Sequence, residues 1–276
     1  MDIKDIWVTG YDGYVGSRLV EKGANPLRCD VTSPDEIRGA LSLIGKPKVL
    51  VHCAAKTDIN YCETQINDAI NTNIRGTANL LGALDKDTFF VYLSTAYVFS
   101  GDKWYNYTEK HQPNPINIYG YSKWGGEIVT KALSENNLII RISKIFHRKW
   151  LERIESRLQR NEAVSLYTFS KRSFVHLEHF IEGLLFLIEN RKSDKIRNRT
   201  INLSGTDTVS YYRFWQAAAM ALGYNPELIL PQDHDNNLVN FPRNAGLSVD
   251  VARKIGVPLY SCTDGLELEK KLRCTQ

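Results

Sequence analysis

The chain has 276 residues, of which 43% are hydrophobic, 24% charged and 11% aromatic, and its formal net charge is +4. That length can bury a substantial core in one large or two modest domains, and the composition is that of an ordinary globular protein. So small a charge gives no electrostatic footprint for nucleic acid, and no apolar run approaches the ~20 residues that span a bilayer.

The basic run Arg191-Lys192, Lys195, Arg197, Arg199 reads as a solvated helix end rather than a nucleic-acid contact. Cysteines 29, 53, 62, 262 and 274 are odd in number and contain no Cys-x-x-Cys, which points to reduced thiols and not to a disulfide framework or zinc site. The first residues open almost directly into a strand with no basic-then-apolar leader, so the expectation is a soluble, cytoplasmic protein with no membrane partner.

Ile3 to Thr9 is β-prone and is followed at once by Gly10-Tyr-Asp-Gly13-Tyr-Val-Gly16, after which Ser17 to Lys22 reads as a helix stopped by Gly23. Strand, glycine turn and helix in that order form the context in which the motif signals a dinucleotide. The first glycine permits the tight turn, the second lets backbone N–H groups reach a pyrophosphate, and the third lets the helix pack on the strand. Pro26 to Cys29 reads as one brief strand, and Thr32-Ser33-Pro34-Asp35-Glu36 as a capped helix start. Lys48 to Cys53 is an apolar strand ending in the small pair Ala54-Ala55, and Ala69 to Leu84 is helical. Phe89 to Leu93 is the next buried strand and delivers Ser94-Thr95 to its C-terminal edge, where ligands sit in doubly wound sheets.

Residues 96 to 118 form a long loop, then come the helix carrying Tyr119-Gly120-Tyr121-Ser122-Lys123 and the strand Leu138 to Ile142. Beyond 143 the alternation loosens: helices at Trp150 to Gln159, Leu177 to Glu189 and Tyr211 to Leu222, a strand at Thr200 to Leu203, polar clusters near 225–245, and a last helix at Val249 to Lys254. Alternating strands and helices predict an α/β fold, a Rossmann-type doubly wound parallel sheet over 1–145, with a smaller C-terminal substrate-binding lobe over 146–276 that returns some segments to the sheet.

Tyr119 and Lys123 stand one turn apart on one helix face. An ammonium beside a phenol favours the phenolate and draws its pKa down toward working range, while Thr95 could hold a substrate oxygen where the phenol exchanges its proton. Alone, Tyr-x-x-x-Lys also recurs by chance on amphipathic helices; the N-terminal glycine turn favours the catalytic reading.

Five blocks together resemble the extended short-chain dehydrogenase/reductase superfamily and, within it, the dTDP-4-dehydrorhamnose reductase family. They are Thr9-Gly10-x-x-Gly13-x-x-Gly16, Cys29 to Pro34, Val51 to Thr57, Leu93 to Gly101, and Pro115-x-x-x-Tyr119 through Glu127. The resemblance implies an NADPH or NADH cofactor with its pyrophosphate over Gly13, Tyr14 and Val15, its adenine against Asp30 and Val31, and its nicotinamide ribose along Ala54, Ala55 and Lys56. It further implies that Lys123 binds that ribose and lowers the Tyr119 pKa, and that Tyr119 protonates the C4 oxygen of a 4-keto sugar nucleotide held by Thr95. Substrate contacts would fall to Ala96, Lys144, Arg172 and Arg243, with a homodimer as a possible assembly and no metal.

The chain departs from that family in three places. Ala96 stands where an aspartate is usual, which argues against 4,6-dehydratase chemistry; Arg141-Ile142-Ser143-Lys144 places a lysine where an aromatic substrate contact is usual; and only about a dozen residues separate Gly16 from Asp30. The second strand, whose end normally reads the adenosine ribose, is therefore expected to be short or missing. With Glu21 facing solvent and Arg18 and Arg28 nearby, a modest NADPH preference follows. His52, His111 and His176 show no metal spacing and are assigned structural roles, Asn73 a local role in its helix, and Glu109 either a loop tether or a sugar contact. Arg172 and Arg243 fit either phosphate contacts or surface ion pairs. A sugar-nucleotide epimerase and a regulatory subunit that keeps the dinucleotide site remain the alternatives.

Overall fold

The computed structural model of the chain describes residues 2–233 and 241–274. In chain order the first elements are β1 (Ile6–Thr9), α1 (Tyr14–Glu21), β2 (Asn25–Pro26), α2 (Pro34–Ile44), β3 (Val49–His52), α3 (Ile59–Thr64), α4 (Ile66–Ile70), a π-helical turn (Asn71–Arg75) and α5 (Gly76–Ala83). There follow β4 (Phe89–Thr95), α6 (Ile118–Leu133), β5 (Asn137–Ile142), β6 (Lys144–Phe146), α7 (Arg148–Leu158), β7 (Val164–Tyr167), β8 (Lys171–Arg172), β9 (Phe174–His176) and α8 (Leu177–Glu189). The last are β10 (Arg199–Asn202), β11 (Val209–Ser210), α9 (Tyr211–Leu222), β12 (Ile229–Gln232), β13 (Asn244–Ala245), α10 (Asp250–Ile255) and α11 (Cys262–Cys274).

The chain divides into two units, residues 1–100, 112–141 and 184–201 in one and 101–111, 142–183 and 202–276 in the other. The expected boundary at 145 had placed 101–111 with the first. In the first unit, six strands form one sheet in the order β10-β5-β4-β3-β1-β2, with β2, β1, β3 and β4 paired parallel. Every residue of β3 and β4 is buried, because helices cover both faces of such a sheet and its strands become continuous apolar runs. One side of this core is Leu27, Val31, Ile37, Leu50, Phe90 and Ile139.

The strand next to β1 on the outer side is two residues long, Asn25–Pro26, one position earlier than the sequence suggests. The thirteen residues between Gly16 and Asp30 must hold the rest of α1 and the turn after it, which leaves no room for a full strand, so the chain goes from this stub straight to α2.

The second unit is built around a core of Phe146, Leu151, Val164, Phe174, Phe214 and Trp215, with Phe174 and Phe214 stacked at 4.0 Å. Its strands form small separate pairings, β6 with β9, β7 with β12, and β8 between β11 and β13. Helix α11 is a correction, since the sequence ends its helices at 254. The buried face of α11 is Cys262, Gly265, Leu266 and Glu269. Glu269 accepts from His176 at 3.0 Å and from Arg273 at 2.8 Å, and a carboxylate on the inner face hides the apolar period. The polar stretch expected at 225–245 falls partly outside the described residues.

Candidate active site

The glycine turn follows β1. Gly10 adopts φ +60°, and a Cβ there would lie 2.6 Å from the Ala54 backbone nitrogen; a Cβ on Gly16 would lie 2.1 Å from Gly10 O. The turn is therefore closed by backbone contacts that only glycine allows. Gly13 caps α1 without a side-chain hydrogen bond, so the helix presents its positive end through backbone N–H groups, a cradle that fits a pyrophosphate at Gly13, Tyr14 and Val15.

At the adenosine end, Asp30 Oδ1 accepts from Thr32 N and from Thr32 Oγ1, both at 2.8 Å, while its own N–H donates to Glu36. Its carboxylate is partly spent on shaping the turn into α2. Val31 is buried against Gly76, whose Cβ would lie 2.7 Å from Val31 Cγ2. Arg18, expected near the ribose, pairs with Glu21 at 2.7 Å, whereas exposed Arg28 lies over the Tyr11 ring at 4.8 Å.

The path beyond Ala54 and Ala55 is held by Asn73. Its Oδ1 accepts from Lys56 N at 2.8 Å, and its Nδ2 donates to Lys56 O at 2.9 Å and Ser122 Oγ at 2.8 Å. The local role expected of Asn73 is thus corrected: the π-helical turn aims it away from its own helix, tying the 53–57 segment to α6. The Lys56 ammonium pairs with Asp68 at 3.1 Å, so the backbone of Lys56, not its charge, faces the path that Asn73 shapes. His52 bridges Thr9 Oγ1 at 2.7 Å and Thr77 Oγ1 at 3.2 Å; burial, with help from Lys123, pushes its pKa down to about 3, as suits a neutral structural imidazole.

Helix α6 begins at Asn117, whose side chain accepts from Gly120 N at 2.7 Å. It lies close over β4 because its inner positions are glycines: a Cβ on Gly120 would come within 2.2 Å of Tyr97 O, and one on Gly126 within 2.0 Å of Tyr92 Oη. This approach brings Tyr119 beside Thr95, close enough for the Thr95 hydroxyl to act on the phenol's pKa, while the same hydroxyl accepts from Tyr97 N at 3.2 Å. The Lys123 ammonium sits 4.1 Å from the Tyr92 ring centre.

The electrostatics differ from expectation. Burial raises the Tyr119 pKa, the Thr95 hydrogen bond only partly offsets this, and Lys123 is not among the groups that set it. Burial pushes Lys123 down to about 7, opposed by Glu127 and Cys53. Desolvation dominates both shifts because both groups lie in the wall between α6 and β4. Tyr119 is held as a phenol, the form that can give a proton.

Of the other expected substrate residues, Ala96 is fully buried and offers a ligand no surface, which corrects that assignment. Lys144, Arg172 and Arg243 belong to the second unit. The Lys144 ammonium lies 4.9 Å from the Trp150 ring, and burial together with Arg172 and Arg153 pushes it down to about 8. Arg172 is fully buried between Tyr211 and Phe241, not a surface ion pair, while exposed Arg243 lies over Phe169 at 5.4 Å. Glu109 Oε1 accepts from Asn202 N at 2.9 Å, the tether rather than a free sugar contact. Among the described residues there is no cluster of metal-ligating side chains, and no helix is long and apolar enough to cross a membrane.

A cavity of about 590 Å³ opens near Lys48, Phe89 and Asn136, at the N-terminal ends of β3, β4 and β5 and so opposite Thr95. Arg191 and Lys192 on its rim follow the C-terminus of α8, where cations complement the helix dipole.

The RmlD substrate binding domain model matches residues 4–267. Methionine adenosyltransferase 2 subunit beta of Bos taurus is 30% identical over 232 residues, 77% of this chain and 66% of that protein. The chain thus spans just under two thirds of the length of that relative. The dTDP-4-dehydrorhamnose reductase of Aggregatibacter actinomycetemcomitans is 30% identical over 150 residues, 50% of this chain and 51% of that protein. A crystal structure of the dTDP-4-dehydrorhamnose reductase of Bacillus anthracis in complex with NADP has a TM-score of 0.85 at 24% identity, covering 95% of this chain and 97% of that one.

Proposed function

Because the chain belongs to the RmlD substrate binding domain family, we propose that it reduces the C4 ketone of a nucleotide-linked 4-keto-6-deoxy sugar with NADPH or NADH. The observation that carries this reading is the Thr95 hydroxyl set beside the Tyr119 phenol, with Lys123 one turn along the same helix, at the edge of a sheet whose first glycine turn is shaped for a dinucleotide. The reductase name of the Aggregatibacter relative supports it.

The bound cofactor supplies the hydride. Gly13, Tyr14 and Val15 would hold its pyrophosphate and the 54–56 backbone its nicotinamide half; the Bacillus anthracis reductase, of the same fold, is in complex with NADP, which agrees with such a group here. Thr95 Oγ1 and Tyr119 Oη then hold the ketone oxygen, and Tyr119 gives it a proton as negative charge develops there. A phenol whose pKa burial has raised is the right form for this direction. Lys123 Nζ would bind the nicotinamide ribose and, pushed down to about 7 by burial, can supply a proton to the site.

The relatives named methionine adenosyltransferase 2 subunit beta support a second reading, a dinucleotide-binding subunit of another enzyme. Incubating the purified chain with NADPH and a panel of 4-keto-6-deoxy nucleotide sugars separates the two. Turnover is expected with at least one. Inactivity on all of them, with a stoichiometric catalytic partner recovered by pull-down, would favour the second reading.

A further inference from the structure

Glu127 lies one turn beyond Lys123 and two beyond Tyr119 on α6, and it is 1% exposed. Its Oε1 accepts from Ser94 Oγ at 2.6 Å and from Arg141 Nε at 2.8 Å, and its Oε2 accepts from Arg141 Nη2 at 2.7 Å. Ser94 immediately precedes Thr95 at the end of β4, and Arg141 stands on β5. One carboxylate therefore joins the helix that carries two of the reacting groups to the strand that carries the third.

Burying such a pair is costly, and replacing one by apolar side chains is often neutral or stabilising. Here the cost is not minimised: Arg141 Nη1 is buried with no hydrogen-bond acceptor among the described residues, its guanidinium lying over Phe99 at 5.0 Å. A pair tuned for stability alone would satisfy that nitrogen.

We propose that Glu127 is a positioning residue that fixes the register of α6 on β4, so that Tyr119 and Thr95 converge on one oxygen, and that it is the countercharge of the Lys123 ammonium. The groups facing Lys123 agree with this second role. From its own helix comes Glu127, from β4 the Tyr92 ring, and from β3 and the segment after it His52 and Cys53. Glu127 and Cys53 are the groups that favour its charged form; burial pushes the Cys53 thiol up to about 12, which leaves the Glu127 carboxylate, ion-paired to Arg141 at 2.7 Å, as the countercharge. The catalytic part of the inference rests on the proposed reductase reading; the electrostatic part does not.

Two variants test it. Glu127→Met/Arg141→Met removes both charges at similar volume, and Ser94→Ala removes one tether and keeps the ion pair. The double variant is expected to melt within a few degrees of wild type and to bind NADPH within about threefold. Its turnover should fall at least roughly tenfold, since small misplacements of reacting groups are that costly. The limb on which turnover falls with rising pH should also move to lower pH, because an ammonium without its countercharge deprotonates earlier. Ser94→Ala should lower turnover about three- to tenfold with no movement of that limb. A role in stability alone would lower the melting point and leave turnover per folded molecule and the pH limb in place.

Nitrogen NMR titration of the lysine ammonium groups, with Lys123 assigned by Lys123→Arg, reads the same countercharge without any turnover. A lower Lys123 midpoint in the double variant supports the inference even if the chain proves inactive on sugar nucleotides. An unchanged midpoint, or turnover within twofold of wild type in both variants, overturns it.

Discussion

Replacing Tyr119 by phenylalanine removes one oxygen from the centre of the site, and the structure says how much else should change. The Phe ring keeps its edge contact with Tyr97, whose ring lies 5.8 Å away. Thr95 Oγ1 keeps the Tyr97 N–H at 3.2 Å, so no buried polar group is left without a partner. The structural loss is at most one hydrogen bond, about 1 kcal/mol. The catalytic loss is the proton donor, worth roughly 10²–10⁴-fold, or about 3–5 kcal/mol of barrier. Turnover in NADPH oxidation at saturating 4-keto sugar nucleotide should therefore fall at least about a hundredfold. The NADPH Kd, followed by fluorescence, and the melting temperature should scarcely move. Turnover within tenfold of wild type would refute the role given to the phenol, and so would a loss explained by weaker cofactor binding.

Thr95→Val keeps the shape and removes the second hydroxyl, so turnover should fall roughly tenfold or more while the NADPH Kd holds; loss of NADPH binding in steady-state titration would mean that the substrate oxygen is placed wrongly. Arg28→Ala should weaken NADPH about three- to tenfold and leave NADH unchanged, because Arg28 is exposed and able to meet a 2′-phosphate. Arg18→Ala, by contrast, removes a cation already paired with Glu21 and should change neither Kd; competitive titration of the two cofactors decides. Lys123 titrates near 7 in the fold against an ordinary value of 10.5. The unfolded chain binds more protons between those values, so the cost of burying the ammonium is full below about pH 7 and fades as pH rises toward about 10. Urea unfolding should find Lys123→Met more stable than wild type near pH 6 and the difference shrinking near pH 10; a constant difference would contradict the burial of a charged lysine.

What could be read in the sequence was what local chemistry dictates. The glycine turn, the strand ending in Ser94-Thr95 and the face shared by Tyr119 and Lys123 depend on residues within a few positions of one another. Helices at Leu177–Glu189 and Tyr211–Leu222 emerged with their observed bounds because their inner faces are apolar throughout. What escaped depended on partners far along the chain. Asn73 looked like a local helix residue because Lys56 and Ser122 lie 17 and 49 positions away. Helix α11 was hidden by an inward carboxylate whose partner, His176, is 93 residues distant. The sense of the Tyr119 shift was missed because spacing gives the neighbouring charge but not the depth of burial, and depth decided it. Glu127 belonged to a recognised motif, yet only the register of β4 and β5 reveals what it holds.

The most direct test of the central claim follows one hydrogen. Purified chain is incubated with NADPH deuterated at the transferable position of the nicotinamide C4 and with a 4-keto-6-deoxy nucleotide sugar, and the product is examined by mass spectrometry and proton NMR. The proposed reaction predicts one deuterium bound to C4 of the sugar, formed by wild type and nearly absent with Tyr119→Phe. No labelled sugar from wild type, or equal labelling by both proteins, would contradict it.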